Sequence, residues 1–373
     1  MNFIPLMSPN ITEHDVNAVV EVLRSGMLVQ GAQVAAFERE VAKYLNVKNA
    51  VAVSNGTASL HLALITLGVE ASDEVIVPAF SYIATANVVE IVGAKCVFVD
   101  IEPGTFNIDV AQIERLITYR TKAIIPVHEF GLACDISQIV KLAQKHRLFV
   151  IEDAACALGA RENEKRVGTF GNIGSFSLHP RKAVTSGEGG LLSTDDDELA
   201  AKFRVLRNHG IEMGDGGRMD FVAAGFNYRM TDFQAALVRG QFKKLDKIIE
   251  DRNNLAEIYF EHLQNLAAIA VPTLPENKNH LWQTFHTVLS DEIDRDAFIG
   301  KLKEKGIGTN YGAQCIPAQT FYQNKYELNC QKLFPNAMRA WRQGLALPLY
   351  EKLKPKQIRF VAETVKKLLA ERL

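Results

Sequence analysis

No stretch of this sequence approaches the roughly 20 consecutive apolar residues needed to cross a bilayer. Its start, MNFIPLMSPNITEHD, has no basic segment leading into a long apolar run, so the expected location is the cytoplasm. Cysteine is scarce and scattered. Cys96, Cys134, Cys156, Cys315 and Cys330 are odd in number and never in CxxC spacing, which argues against a disulfide framework and against a zinc or iron–sulfur site. No sign of charge dominates either: the formal net charge of -1 leaves no global field to draw nucleic acid or an anionic membrane surface. Two signature loops are missing as well. No GxGxxG opens the first helix of an α/β unit, GDGGRMD comes too late in the chain, and no GxxxxGK[ST] occurs, which speaks against a nicotinamide Rossmann enzyme and a P-loop protein.

What is present is an ordinary globular composition, 47% hydrophobic and 23% charged over 373 residues. That length favours one large domain with a smaller companion. Between about Ala50 and Ser193 the runs AVAV, EVIVP, KCVFVDI, AIIPVH, LFVIEDA, SFSLH and GGLLST alternate with amphipathic stretches such as AQIERLITYR and ISQIVKLAQKH. Several runs are apolar on both parities, as the strands of a largely parallel sheet covered on both faces should be. The expected fold class is therefore α/β with a mostly parallel central sheet. After Arg229, Thr231 and Gln234 stand in capping-box spacing at the head of what reads as one long helix, TDFQAALVRGQFKKLDKIIEDRNNLAEIYFEHL. Beyond the linker VPTLPENKN, the patterns predict HLWQTFHTVL as a strand, DRDAFIGKLKEKG as a helix closed by Gly306, and two further helices. The expected domains are 13–250 and 251–373 with 1–12.

Three segments carry residue types that suggest chemistry. SNGTASLHLAL turns from a strand into a helix through Ser54, Asn55 and Gly56; such a turn can bind phosphate on free helix N-terminal amides, or it can be a plain capped turn. FVIEDAACALGA puts Glu152 and Asp153 at the end of an apolar strand, where a carboxylate needs a cation or a donor and where α/β folds place ligands. Asp153 would suit a pyridinium nitrogen or, equally, cap the next helix. SFSLHPRKAVTSGEGGLLST holds Lys182 between two apolar strands among Ser177, His179 and Thr185. Schiff-base chemistry needs an amine whose pKa falls on partial burial, which lysine allows; a surface lysine is the plain alternative.

The order of these segments, with SGMLVQG, VPAFSYIATAN, PVHEFG, RNHGI and GFNYRMTDFQAA, resembles the DegT/DnrJ/EryC1/StrS family, nucleotide-sugar aminotransferases of fold type I, the aspartate aminotransferase-like fold. The resemblance implies pyridoxal 5'-phosphate (PLP) as cofactor, with Lys182 as its covalent anchor and proton shuttle and Asp153 at its ring nitrogen. It further implies Gly56, Thr57 and Ser177 at the phosphate, Tyr82 stacked on the ring, and Cys156 in the cofactor shell. Asn227 would reach the cofactor phosphate of a neighbouring subunit, which makes the expected assembly a homodimer with composite sites. The substrate side falls to Arg229, to Glu188 of the GEGG turn and to Tyr311.

Two departures from the family pattern stand out. Relatives commonly carry Gln or His where this chain has Cys156, a weaker donor. Tyr311, Gln314 and Gln319 stand where relatives often carry a His-Tyr-x-Pro-x-His-like stretch. The implied reaction moves an amino group from an amino acid, by analogy L-glutamate, to a nucleotide-linked keto sugar. The T-S-G-E-G-G form after Lys182 resembles members acting on 4-keto sugars, which points to a 4-keto-6-deoxyhexose in amino-sugar biosynthesis for a surface polysaccharide or a glycosylated metabolite. A 3-keto sugar aminotransferase and a PLP-binding sensory member without turnover are the alternatives. A dehydratase-like member is disfavoured because those replace the lysine.

Overall fold

The computed structural model describes residues 3–371. All seven apolar runs contribute to strands of one sheet, AIIPVH only through Ala123 and Ile124 and SFSLH only through its first three residues: β1 (Asn49–Val53), β2 (Glu74–Pro78), β3 (Lys95–Val99), β4 (Thr121–Ile124), β5 (Phe149–Asp153), β6 (Ile173–Ser177) and β7 (Gly190–Thr194). Their spatial order is β1-β7-β6-β5-β4-β2-β3. From β6 to β3 every neighbouring pair is parallel, while β7 runs antiparallel to both β6 and β1. Every residue of β2 and of β7 is buried. That double-sided burial is why these runs are apolar on both parities and do not alternate.

Helices cover both faces. α1 (Glu13–Ser25) opens on a capping box between Thr12 and Asp15 and stops at Gly26 with φ 72°, a left-handed turn that glycine enters without steric cost. It is followed by α2 (Ala32–Leu45), α3 (Gly56–Thr66), α4 (Ala84–Ile91) and α5 (Ile136–His146). The Asn55 side chain caps α3 by accepting from the Ala58 amide at 2.8 Å.

The expected long helix is two helices, α6 (Asp232–Phe242) and α7 (Leu245–Leu263). The capping box at Thr231 and Gln234 forms as expected. At Lys244 (φ -104°, ψ 6°) the chain leaves helical geometry. This break re-aims it: Leu245, Ile248 and Ile249 stay in the core beneath the sheet, whereas Leu255, Tyr259 and Leu263 enter a second core. That second core also contains Ile4, Phe285, Phe298, Leu345 and Val361. It surrounds a three-stranded antiparallel sheet, β8 (Ile269–Ala270), β9 (Phe285–Leu289) and β10 (Gly344–Leu347). Cys315, Ile316, Tyr322, Phe334 and Ala337 pack instead against the core of the large sheet.

The strand expected over HLWQTFHTVL is confined to β9. Trp282 takes φ 53° and stacks on His280 with ring centroids 3.8 Å apart. The amides of Leu281 and Gln283 donate to the carbonyls of Gly131 and Phe130, both at 2.9 Å. The segment is thereby spent on tying the two parts of the chain together at the sheet's C-terminal edge.

Candidate active site

The C-terminal ends of β4, β5 and β6 open into a cleft of about 810 Å³, the position where parallel sheets bind ligands. β5 delivers the central carboxylate, and strand alternation sorts its two acids. Glu152 turns away from the cleft and is fully buried. It accepts from the amides of Gly168 (2.7 Å), Phe170 (2.6 Å) and Gly171 (2.8 Å) and lies 3.0 Å from His128 Nε2. Its task is to fasten the loop before β6. Asp153 faces the cleft, only 4% exposed. Its Oδ2 accepts from Thr85 Oγ1 at 2.8 Å and its Oδ1 from the Ala155 amide at 3.1 Å. Burial pushes its pKa up, and the Thr85 hydroxyl and Ala155 amide pull against that.

Lys182 points into the same cleft with Nζ 3.0 Å from Cys156 Sγ. Burial works against its ammonium form, but Cys156, Asp153 and Glu129 together outweigh it and hold Lys182 above the usual lysine range. The lowered lysine pKa expected from the sequence is therefore not found. The reason is that three acidic groups share the pocket with it. Burial raises the Cys156 thiol, with the Lys182 ammonium acting the other way.

The first turn of α3 forms the far wall. Gly56 and Thr57 line the cleft at the helix N-terminus, beside Ser177 at the end of β6. A Cβ on Gly56 would come within 2.9 Å of Ser177 Cβ, and one on Gly190 within 2.4 Å of the Asn55 carbonyl oxygen. Those contacts explain both glycines: the strand and the helix start approach too closely for a side chain.

Tyr82 also lines the cleft and is 64% exposed. Glu188 lines it from the rim, its backbone carbonyl accepting from Ser186 Oγ and Gln234 Nε2.

Three residues expected at the site lie outside this cleft. Tyr311 lines an adjoining pocket of about 620 Å³ that shares Ile91 and Gln314 with it. Asn227 is exposed and bridges to Asn208, and Arg229 donates to Asn208 Oδ1 at 2.6 Å. Neither belongs to the wall made by its own chain.

Sequence reasoning passed over two residues. Thr85 holds Asp153 from the first turn of α4. Glu129, in PVHEFG, lies buried in the cleft wall; a carboxylate just beyond a buried apolar strand was the available signal.

The donor set fits PLP. It comprises a lysine for covalent attachment, a buried carboxylate for the ring nitrogen, and a helix N-terminus with a hydroxyl for a phosphate.

Comparison with known proteins agrees with that chemistry. Residues 9–366 match the DegT/DnrJ/EryC1/StrS aminotransferase family. The chain is 40% identical to GDP-perosamine synthase of Caulobacter vibrioides over 82% of each chain. It is 34% identical to UDP-4-amino-4-deoxy-L-arabinose--oxoglutarate aminotransferase of Shewanella sediminis over 99% of each. Its fold superposes on Streptococcus pneumoniae Spr1654 in its PLP form with a TM-score of 0.94, 29% identity and full coverage of both chains.

Proposed function

The chain belongs to the DegT/DnrJ/EryC1/StrS aminotransferase family, PLP-dependent sugar aminotransferases of amino-sugar biosynthesis, and from that premise we propose that it transfers the amino group of L-glutamate to a nucleotide-linked 4-keto-6-deoxyhexose. The observation that carries the reading is the convergence of Lys182 and Asp153 in one cleft against the α3 N-terminus. The Shewanella relative, named for a 4-amino-4-deoxy sugar, supports the 4-keto position, as does the T-S-G-E-G-G sequence after Lys182.

When bound, PLP supplies an electron sink for the carbon whose nitrogen is transferred. Asp153 would keep a proton on the ring nitrogen, its own charge stabilised by Thr85 and the Ala155 amide. Lys182 would anchor the cofactor and, once released, carry a proton on Nζ between the reacting carbon and the cofactor. Gly56, Thr57 and Ser177 would hold the phosphate, and Tyr82 would cover the ring. Glu188 and Tyr311 stand on the substrate side.

Asn227 and Arg229 would serve the cleft of a second copy, making a homodimer with composite sites. Exposed apolar side chains support this assembly: Met27 and Val29 after α1, and Met213, Met219 and Phe221 on the Ile211–Phe221 hairpin. We divide the chain into domains 13–250 and 251–373 with 1–12, which the second core supports, while Cys315, Ile316, Tyr322, Phe334 and Ala337 reach back to the core of the large sheet. No helix among the described residues is long and apolar enough to cross a membrane, and we place the reaction in the cytoplasm.

The test is an absorbance spectrum of the purified protein before and after L-glutamate, followed by nucleotide-linked keto sugars. A visible band that glutamate converts to a shorter-wavelength form, and that a 4-keto sugar restores, is the expected result. A band that glutamate leaves untouched overturns the donor.

A further inference from the structure

The wall that Lys182 and Asp153 share also holds a buried carboxyl for which the assigned roles have no use. Glu129 is 4% exposed, lines the cleft, and its Oε2 is buried without a hydrogen-bond partner. Its backbone is fixed: the amide donates to Asn107 Oδ1 at 2.9 Å, and the carbonyl accepts from Leu132. The groups that face the side chain are Ser81, Asp153, Lys182 and the Phe130 amide, and Cys156 senses its charge in turn. A buried carboxyl in a cleft wall with an unpartnered oxygen is costly unless something that enters the cleft satisfies it.

The shape of the cofactor says what that is. A pyridine ring held at its nitrogen by Asp153 and at the opposite carbon by Lys182 has two edges between those points. One carries the phosphate arm, which the α3 N-terminus and Ser177 claim. The other carries the ring oxygen. Cys156 Sγ lies 3.0 Å from Lys182 Nζ, Glu129 shares the cleft wall with Asp153 and Lys182, and neither is part of the phosphate wall, so the oxygen edge is the one left to them. A thiol is a weak donor there; a protonated carboxyl is a strong one.

We propose that Glu129, carrying its proton, is the hydrogen-bond donor to the ring oxygen of the cofactor, doing for this site what Cys156 cannot. The inference rests on the roles proposed for Lys182 and Asp153. Burial pushes the Glu129 carboxyl up to about 8, so the group carries its proton at neutral pH and loses it in mildly alkaline solution.

The experiment compares wild type, Glu129→Gln and Glu129→Leu, each also in a Cys156→Gln background, all reconstituted with PLP. Two quantities are read: the pH dependence of the visible band and the PLP dissociation constant. Infrared spectra of the cofactor-free proteins add a third, the stretch of a protonated carboxyl, expected in wild type and missing from Glu129→Gln. Wild type is expected to show a spectral transition that Glu129→Gln lacks. Glu129→Leu is expected to shift the band's midpoint by about one pH unit and weaken PLP binding about tenfold, the effect of one hydrogen bond to a charged oxygen. Cys156→Gln, which restores a donor at that edge, is expected to remove most of the loss.

Superimposable titrations of wild type and Glu129→Gln, or equal losses in the two Cys156 backgrounds, overturn the inference. Glu129→Gln keeps the size and shape of the side chain, so the titration comparison stands even where Glu129→Leu does not fold. Absence of the visible band from the wild type itself, even with added PLP, strikes instead at Lys182 and the aminotransferase reading.

Discussion

Lys182 Nζ sits 3.0 Å from Cys156 Sγ, so the residue proposed to anchor the cofactor donates a hydrogen bond to a thiol in the cleft. The pairing fixes the lysine's direction at modest energetic cost. A second carboxylate at that distance would lock the ammonium into a salt bridge and hold it away from a carbonyl carbon. The thiol accepts a hydrogen bond weakly, yet together with Asp153 and Glu129 it favours the ammonium form of Lys182.

Lys182→Ala is therefore expected to abolish both the visible cofactor band and turnover, the latter by at least roughly 10²–10⁴-fold, the usual weight of one acid–base group. Borohydride treatment of the wild type should fix the cofactor to this lysine, which peptide mass mapping would reveal. A variant that keeps its band and its turnover removes Lys182 from the chemistry.

Replacing Cys156 by Gln brings a stronger donor into the cofactor shell. The variant should stay active, with a shifted absorbance maximum or a shifted pH midpoint of the band. Identical titrations of wild type and variant would place Cys156 outside that shell.

Gly190→Ala tests the phosphate wall through the backbone. The new Cβ would stand 2.4 Å from the Asn55 carbonyl oxygen and 2.9 Å from the Gly56 amide nitrogen, so the turn into α3 must move. Overpacking of this kind costs about 1–3 kcal/mol of stability. PLP affinity should fall about tenfold or more in addition, because the amides of Gly56 and Thr57 are displaced. Equilibrium dialysis of PLP beside thermal unfolding of the cofactor-free chain separates the two; a less stable variant with unchanged affinity would clear the wall of its proposed role.

The sheet was legible because its seven strands are short apolar runs bounded by polar turns, and each overlaps a run read from the pattern, β4 and β6 only in part. Its order was not: nothing local in GGLLST says that β7 inserts antiparallel between β1 and β6. The helix break at Lys244 was hidden for a related reason, since both halves have good helical spacing and only the presence of two cores makes the chain bend. In the site, Asp153 stood out as a carboxylate at an apolar strand end, where burial makes it expensive, and Lys182 as a lysine in a loop between two apolar strands. Glu129 lies five residues beyond the end of β4, in a segment, PVHEFG, that carries the family resemblance without pointing to a role for its carboxyl. The places of Asn227 and Arg229 outside their own cleft follow from the path of the Asn208–Arg229 loop, which pattern alone does not give.

Asn227 is exposed in the single chain, so its proposed contact with phosphate needs a second copy. Asn227→Ala should weaken PLP retention on gel filtration without unfolding the chain, and sedimentation should report a dimer for wild type and variant alike. A fully active monomer would refute the composite site.

The last expectation concerns acid. His286 is buried among Phe80, Phe106 and Phe130, stacked on Phe130 with ring centroids 4.5 Å apart. Neither of its ring nitrogens meets hydrogen-bond geometry with a partner. Burial lowers its pKa to about 3, and burial lowers His280 likewise to about 3. Between those values and the ordinary histidine value near 6.5, the unfolded chain binds protons that the native chain refuses. Stability contributed by the neutral rings is thus complete above about pH 6.5 and falls as the pH drops toward 3, by up to about 1.4 kcal/mol per pH unit for each ring. His286→Phe removes one such proton and leaves the aromatic cluster an apolar member. Urea unfolding at pH 7 and at pH 4 should show the variant losing less stability on acidification than wild type does, and an acid midpoint at lower pH. Equal losses would mean that the native state relaxes to admit water to His286 and that its burial does not set the acid limit of the fold.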